Sequence, residues 1–285
     1  MSTLFTLPIP NTNGTGNITC TTPAPNTPSL QDSPETDVSK IYILTFTSPP
    51  DNRLTPSFIS TFLLALDILE HRYPRGVVVS TSGIGKFYSN GLDLEVVAQT
   101  EGFLEKWLWV LFRRLLTYPM PTIAHLNGHA FAGGFMLAMY HDYRIMNPTR
   151  GFLCLNELDF GVPLQTPMMD IFRAKLSPAT FRDLVLEARR VGGGDALQRG
   201  IVDGLGGNEE VLGFIAERKL VGKVASGIYG VMKEEMYRGV LGGLDGHKGN
   251  LEWRESIEER KGVMEKEAVQ RVEEWEKSEK GKAKL

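Results

Sequence analysis

Residues 121–142 have the sequence PTIAHLNGHAFAGGFMLAMYHD, and this stretch decides the fold class. Its first six residues, PTIAHL, form an apolar run that predicts a strand over residues 121–126. The strand ends in a glycine-rich turn, NGHAFAGG, over residues 127–134. The apolar segment after the turn predicts a helix over residues 133–139. A strand followed by a glycine turn and a helix is the typical unit of an α/β fold.

Strands and helices alternate in both directions from this stretch. The predicted strands cover residues 41–47, 76–80, 143–146 and 152–155, and the predicted helices cover residues 56–72 and 102–116. The run GVVVS over residues 76–80 is typical of a strand that is covered on both faces. Thr55 and Pro56 fit the N-cap and the first position of a helix. We therefore expect an α/β fold with crossover connections.

The chain divides into three regions by composition. Residues 1–40 are rich in Thr, Pro, Asn and Ser, and they are predicted to hold a hairpin that turns at Asn13-Gly14 and a mobile insertion. Residues 41–205 form the α/β core. Residues 206–285 are predicted to be helical, and their last helix, over residues 250–280, has a narrow apolar stripe. That stripe must be buried against the same domain or a neighbouring subunit.

Composition excludes several classes of protein. The chain has 285 residues, 42% of them hydrophobic, a formal net charge of −3 and two cysteines. These values fit a globular protein without a disulfide framework, and they give no reason to expect nucleic acid as a partner. No stretch of 18 apolar residues occurs, so a membrane span is not expected. His125 and His129 are four residues apart but lack an obvious third ligand, so no metal site is expected.

Two glycine turns are the first sign of chemistry. The sequence KFYSNGLDL, residues 86–94, follows one strand, and the turn at residues 127–134 follows another. Glycine turns at helix N-termini expose unpaired backbone N–H groups. Two such turns on neighbouring strands predict an oxyanion hole, in which two N–H groups bind one oxygen. Taken singly, each turn is more simply explained as an ordinary loop.

Glu157 is the candidate acid or base. It follows a strongly apolar run in RGFLCLNELDFG, residues 150–161. A carboxyl group at the edge of an apolar pocket has a raised pKa and can exchange a proton near neutral pH. A solvated loop glutamate is the alternative explanation. Tyr88 and Asp159 are weaker candidates for a second acid.

The segments at residues 86–94, 121–142 and 150–161, in this order, resemble the crotonase, or enoyl-CoA hydratase/isomerase, superfamily. The last segment is most similar to the monofunctional enoyl-CoA isomerases of plants and fungi. The resemblance covers roughly residues 41–205. It implies a crotonase-like spiral of ββα units, followed by a helical C-terminal region that builds trimers.

The resemblance also implies a bound acyl-CoA whose thioester oxygen accepts two backbone hydrogen bonds. By motif position, the donors are the N–H groups of Leu92 and Gly133, and Glu157 takes the position of a catalytic glutamate. Other positions of the motifs are expected to contact the substrate: Ser89, Asn90, Gly91, Asp93, Leu94, Gly134 and Met136.

Met136 is where the sequence departs from the family pattern. Hydratases of this superfamily carry two glutamates at the C2–C3 bond, and Met136 occupies one of those positions. Methionine cannot carry out a proton transfer, whereas moving a double bond from C3 to C2 needs a single base. The sequence therefore favours isomerisation of 3-enoyl-CoA to 2-trans-enoyl-CoA. The alternatives are hydration, another crotonase-type reaction in a fungal secondary pathway, and a non-catalytic CoA-ester binder.

The C-terminal tripeptide Ala283-Lys284-Leu285 resembles the S-K-L peroxisomal address. It predicts a peroxisomal protein that an import receptor binds through its tail, which fits β-oxidation of unsaturated fatty acids. No cofactor is expected besides the acyl-CoA substrate, because proton transfer and charge stabilisation suffice. The expected assembly is a homotrimer or a dimer of trimers.

Overall fold

A mostly parallel sheet is the frame of the structure, a computed structural model that describes residues 1–10, 16–24, 27–30 and 36–278. The strands in these ranges are β1 (Ser2–Pro8), β2 (Asn17–Thr22), β3 (Ile41–Thr47), β4 (Val77–Ser82), β5 (Phe87–Ser89), β6 (Thr122–Leu126), β7 (His129–Phe131), β8 (Tyr143–Met146), β9 (Leu153–Cys154) and β10 (Gly204–Leu205). Seven of them pair in the order β1-β2-β3-β4-β6-β8-β10. From β3 to β10 the strands are parallel, which confirms the predicted α/β class.

Helices fill the connections between these strands. They are α1 (Pro56–Arg72), α2 (Leu94–Gln99), α3 (Trp109–Thr117), α4 (Gly133–Tyr140), α5 (Glu157–Phe160), α6 (Thr166–Lys175), α7 (Pro178–Leu186), α8 (Gly193–Gln198), α9 (Asn208–Glu217), α10 (Tyr229–Met236), α11 (Arg238–Asp245) and α12 (His247–Lys277). A π-helical turn over Leu104–Leu108 leads into α3. None of the helices in the described ranges is both long and apolar enough to cross a bilayer.

The first helix, α1, confirms the helix predicted over residues 56–72. The Thr55 hydroxyl accepts a hydrogen bond from Phe58 N at 3.2 Å, and Pro56 takes the first position. The rings of Phe58 and Phe62 meet the ring of Phe46 on β3 edge to face, at 5.3 and 6.2 Å between centroids. This contact buries one face of the sheet. The other face, with Ile43 of β3, packs against α9.

The N-terminal strands extend the main sheet. β1 and β2 pair antiparallel, with Ser2 opposite Thr22, and β2 pairs antiparallel with β3. The turn predicted at Asn13-Gly14 lies outside the described residues. Leu30, which the sequence places in a mobile insertion, is buried beside α9 in a 3-10 turn.

A second sheet was not predicted. β5, β7 and β9 pair in parallel, within or next to the segments that the sequence presents as glycine turns and a polar loop. β5 and the start of α2 at Leu94 therefore lie on the two sides of the first glycine turn. The strands of this sheet have two or three residues, which is too short for a periodic pattern.

The C-terminal part of the chain is helical apart from β10. The structure separates two compact units, Met1–Leu244 and Asp245–Leu285, whereas composition places the start of the helical region at residue 206. Helix α9 belongs to the first unit and α12 to the second. Residues 279–285, which include the tail Ala283-Lys284-Leu285, lie outside the described residues.

Candidate active site

The first glycine turn is held by an asparagine in the loop after β3. Asn52 is fully buried and has a φ of 55°. Its Oδ1 accepts a hydrogen bond from Ser48 N at 2.7 Å, and its Nδ2 donates to Ser82 Oγ at 2.7 Å and to the Tyr88 carbonyl at 3.0 Å. One side chain therefore ties together the ends of β3, β4 and β5.

The turn itself, over residues 89–92, is fixed to the same loop. Ser89 Oγ donates to the Asn52 carbonyl at 2.7 Å and accepts from Gly91 N at 3.2 Å. Asn90 donates to Asp51 from both its backbone N and its Nδ2. Gly91 has a φ of 82°, a left-handed conformation that favours glycine. These contacts leave the next residue, Leu92, at the surface of the turn.

The second glycine turn bends sharply at Ala132. Its φ of 49° and ψ of −124° are unusual for a residue with a Cβ, and its N–H donates to the Cys154 carbonyl at 2.9 Å. The Ala132 carbonyl accepts from Phe135 N and Met136 N, both at 3.0 Å, which starts α4. The N-terminus of this buried helix is thereby fixed beside the first turn.

The two turns meet backbone to backbone. A Cβ added to Gly91 would lie 2.9 Å from Gly133 N, and one added to Gly134 would lie 2.3 Å from the Ser89 carbonyl oxygen. Within the described ranges, neither Leu92 N–H nor Gly133 N–H has a hydrogen-bond acceptor. The two turns therefore lie side by side, and each carries one backbone N–H group without an acceptor among the described residues.

A cavity of about 450 Å³ lies at this junction. Its lining is mostly apolar and consists of Arg53, Asn90, Leu92, Leu94, Val97, Leu104, Ala132, Gly133, Met136, Asn156, Glu157, Phe160, Val162, Pro163, Leu164, Gln165 and Met168. The predicted positions Asn90, Leu92, Leu94, Gly133, Met136 and Glu157 therefore meet in one cavity. Ser89, Gly91 and Gly134 are not among the lining residues, and Asp93 caps α2 by accepting from Glu95 N and Val96 N.

Glu157 brings a carboxyl group into this apolar setting. It is the first residue of α5, and burial raises its pKa to about 7, against a small opposing effect of its own backbone N–H. Its Oε2 is shielded from water, and no hydrogen-bond partner for it lies in the described part of the chain. A group that titrates near neutral pH can both accept and return a proton.

Met136 faces the same cavity and is almost fully buried. Among the cavity residues that the structure describes, Glu157 supplies the one carboxyl group and Arg53 the one cation. The described lining therefore offers one carboxyl group, where hydration would use two.

The weaker candidates lie elsewhere. Tyr88 is fully buried, its hydroxyl lies 2.9 Å from Ser80 Oγ, and burial raises its pKa far above neutrality. Asp159 is exposed on α5. His125 and His129 lie on strands of different sheets, and the described residues hold no group of three side chains suited to a metal ion.

Arg53 is a cavity residue that the sequence analysis missed. Its Nε lies 3.1 Å from Asp51 Oδ2, and its Nη1 donates to the Leu92 carbonyl at 2.7 Å. A cation in the cavity lining suits an anionic part of a ligand. The signal in the sequence was the run Asp51-Asn52-Arg53 directly after a predicted strand.

Comparison with known proteins identifies the family of the chain. Residues 36–238 match the family model of enoyl-CoA hydratase/isomerase. The chain is 35% identical over 222 residues to enoyl-CoA delta isomerase 2, peroxisomal, of Arabidopsis thaliana, which covers 71% of the chain and 92% of that protein. The chain is 34% identical to enoyl-CoA delta isomerase 1, peroxisomal, of Arabidopsis thaliana, and that match covers 71% of the chain and 88% of that protein.

Solved structures share the fold. The human mitochondrial delta3-delta2-enoyl-CoA isomerase superposes with a TM-score of 0.66 at 24% identity, over 84% of this chain and 96% of that one. An enoyl-CoA hydratase/isomerase family protein from Pseudomonas syringae superposes with a TM-score of 0.65 at 27% identity. That superposition covers 74% of this chain and 91% of the other. On the sequence match and the shared fold, the chain belongs to the enoyl-CoA hydratase/isomerase family.

Proposed function

We propose that the protein is an enoyl-CoA isomerase that converts 3-enoyl-CoA to 2-trans-enoyl-CoA. The observation that carries the proposal is one carboxyl group, Glu157, in an apolar cavity beside two unpaired N–H groups. Met136 occupies the position where a hydratase needs its second acid. The Arabidopsis relatives, which are named enoyl-CoA delta isomerases, support the same reaction.

The reaction needs two proton transfers and one stabilised anion. Glu157 removes a proton from C2, and the electron pair moves into a dienolate whose thioester oxygen accepts hydrogen bonds from Leu92 N–H and Gly133 N–H. Glu157 then returns the proton at C4, which leaves the double bond at C2. A donor of this kind contributes about 3–4 kcal/mol to the transition state. No cofactor takes part in this scheme.

Replacing the carboxyl group tests the proposal directly. We expect Glu157→Gln to reduce turnover of 3-hexenoyl-CoA by at least about a thousandfold, because an amide cannot accept the proton. CoA-ester binding and stability should be kept, since the substitution removes a buried charge and preserves shape. Wild-type rates in this variant would overturn the proposal.

The wild-type enzyme itself separates isomerase from hydratase. Product analysis with 3-hexenoyl-CoA and 2-hexenoyl-CoA side by side should show isomerised product from the first and no hydrated product from the second. Faster hydration than isomerisation would favour the hydratase alternative. Binding of both esters without turnover would favour a non-catalytic CoA-ester binder.

We further propose that the enzyme acts in peroxisomal β-oxidation. The tail Ala283-Lys284-Leu285 supports this location, and two Arabidopsis relatives are named peroxisomal. A reporter fused to residues 276–285 should enter peroxisomes, and the same fusion without the last three residues should not. A cytosolic signal from the intact fusion would remove the proposal.

A further inference from the structure

Asn156 stands at the N-cap of α5 and does not cap it. Asparagine is among the best N-cap residues, and a cap contributes about 1 kcal/mol. Here φ is −95° and ψ is 14°, outside the extended region of a capping residue, and the side chain makes no hydrogen bond to the helix. The helix therefore forgoes an interaction that this residue type is suited to make.

The side-chain amide of Asn156 is also unsatisfied. Its Oδ1 is shielded from water and finds no hydrogen-bond donor in the described parts of the chain, although the residue lines the cavity. A buried acceptor without a donor destabilises the folded protein. The Asn156 side chain thus destabilises the unliganded protein, and it lies in the cavity wall. These two properties together point to a role during the reaction.

The carboxyl group of Glu157, the next residue, is also incompletely hydrogen-bonded. Its Oε2 is another shielded acceptor without a donor. The cavity's cation, Arg53, already binds Asp51 and the Leu92 carbonyl. An acyl chain and a thioester carry no donor either, whereas a protonated Glu157 carries one, its own O–H.

We propose that Asn156 is a positioning residue whose Oδ1 accepts a hydrogen bond from the Glu157 carboxyl group while that group carries the proton from C2 to C4. The inference rests on the proposed isomerase function. When the C2–H bond breaks, an O–H bond forms on Glu157, and Asn156 holds that proton inside the cavity. When the O–H bond breaks, the C4–H bond forms and Asn156 is unchanged.

This hydrogen bond makes Glu157 a stronger base. A bond to the protonated form favours that form, so it raises the pKa of Glu157 beyond the effect of burial. The other ionisable groups near α5 are Asp159 on the same helix, Arg53 across the cavity, and Cys154 with Arg190 nearby. These four groups are all retained when Asn156 is substituted. A shift in the pKa of Glu157 therefore reports on the loss of the Asn156 side-chain amide.

Asn156→Leu removes the acceptor and keeps the volume. We expect the pKa of Glu157 to fall by about half to one pH unit, the equivalent of one hydrogen bond. Asn156→Asp keeps an acceptor and adds a negative charge, so the pKa should rise.

The pKa is measured on the unliganded, full-length protein by ¹³C NMR of carboxyl-labelled glutamate. The resonance of Glu157 is assigned as the one that is missing from the spectrum of the Glu157→Gln variant. Leu158→Ala, on the exposed side of the same helix, is the control and should leave the titration unchanged. If Asn156→Leu does not fold, Asn156→Ala replaces it with the same expected direction.

Isotope transfer gives a second readout that a purely structural role would not move. With 3-hexenoyl-CoA deuterated at C2, the wild type should pass part of the label to C4, and Asn156→Leu should lose most of that fraction to solvent. An unchanged pKa in Asn156→Leu would overturn the inference and leave the isomerase proposal intact. Absence of isomerase turnover in the wild type would overturn that proposal, while the titration would still decide whether Asn156 bonds to Glu157.

Discussion

Glu157 owes its chemistry to the place where its carboxyl group is buried. The residue type alone gives an acid that is ionised throughout the physiological range. Burial in the apolar cavity disfavours the charged form and raises its pKa to about 7. In the proposed mechanism, this raised pKa lets the group hold the proton before it delivers the proton to a second carbon, which an ordinary surface glutamate does poorly.

The pH dependence of the rate follows from this shift. Glu157 must be ionised in the free enzyme to accept a proton, so kcat/KM should rise tenfold per pH unit below about pH 7 and level off above it. Initial rates with 3-hexenoyl-CoA between pH 5 and 9 check this profile. A midpoint near 4.5, the ordinary value for glutamate, would show that the carboxyl group is solvated.

The raised pKa of Glu157 should also make the free energy of unfolding depend on pH. Whereas kcat/KM rises with pH, this contribution to stability falls. A pKa that is higher in the folded protein than in the unfolded chain means that the folded protein binds more protons between about 4.5 and 7. The contribution of Glu157 to stability is therefore lost as pH rises through that window. Glu157→Gln consequently should not unfold more easily than the wild type at pH 8.

At the scale of structural elements, a loop outside the motifs sets the geometry of the site. The loop between β3 and α1 holds the first glycine turn through Asn52, Asp51 and Arg53. The second turn is held by the pairing of β7 with β9. Both sets of contacts fix the backbone on the two sides of the proposed oxyanion hole, although neither involves the proposed donors themselves.

Asn52→Ala tests this support. The substitution leaves Ser48 N–H and the Tyr88 carbonyl without their buried partner and places alanine at a φ of 55°. We expect the free energy of unfolding to fall by about 2–4 kcal/mol, with a larger loss of kcat than the lost stability explains. Urea denaturation and steady-state kinetics measure both quantities.

Asn147→Ala is the matched control. The Asn147 side chain accepts hydrogen bonds only in an exposed turn, from Thr149 and Arg150. Its loss should cost less than about 1 kcal/mol and leave kcat unchanged. Equal effects of the two substitutions would contradict a special role for Asn52.

At the scale of the whole molecule, α12 is the element that needs a partner. It is 31 residues long, and its apolar side chains are exposed: Leu251, Trp253, Val263, Met264, Val269, Val272 and Trp275. Trp253, Met264, Val272 and Trp275 share one face of the helix, and such an apolar stripe on a charged helix is typical of a surface that becomes buried on association. The family resemblance implies trimers.

We therefore expect the protein to form trimers or hexamers in solution. Light scattering should give three or six times the chain mass of 31.7 kDa at micromolar concentration. Trp253→Glu combined with Trp275→Glu should shift the protein toward monomers, because it places charge on the stripe. A wild-type monomer would contradict this prediction.

Local patterns in the sequence determined the long elements and the identity of the chemistry. The helix over residues 56–72 and the strands at residues 41–47 and 143–146 occur where periodicity and capping residues predict them, because these signals act over neighbouring residues. The glycine motifs and Glu157 were also visible, since the motif residues are close together in the chain.

Only the tertiary structure decided how these parts meet. The short strands β5 and β7 carry no periodic signal, and the sheet they form with β9 is built from segments far apart in the chain. The support from Asn52 and Arg53 and the unpaired acceptors of Asn156 and Glu157 are likewise set by packing. Burial and hydrogen bonding depend on every neighbour in space, which a local pattern does not encode.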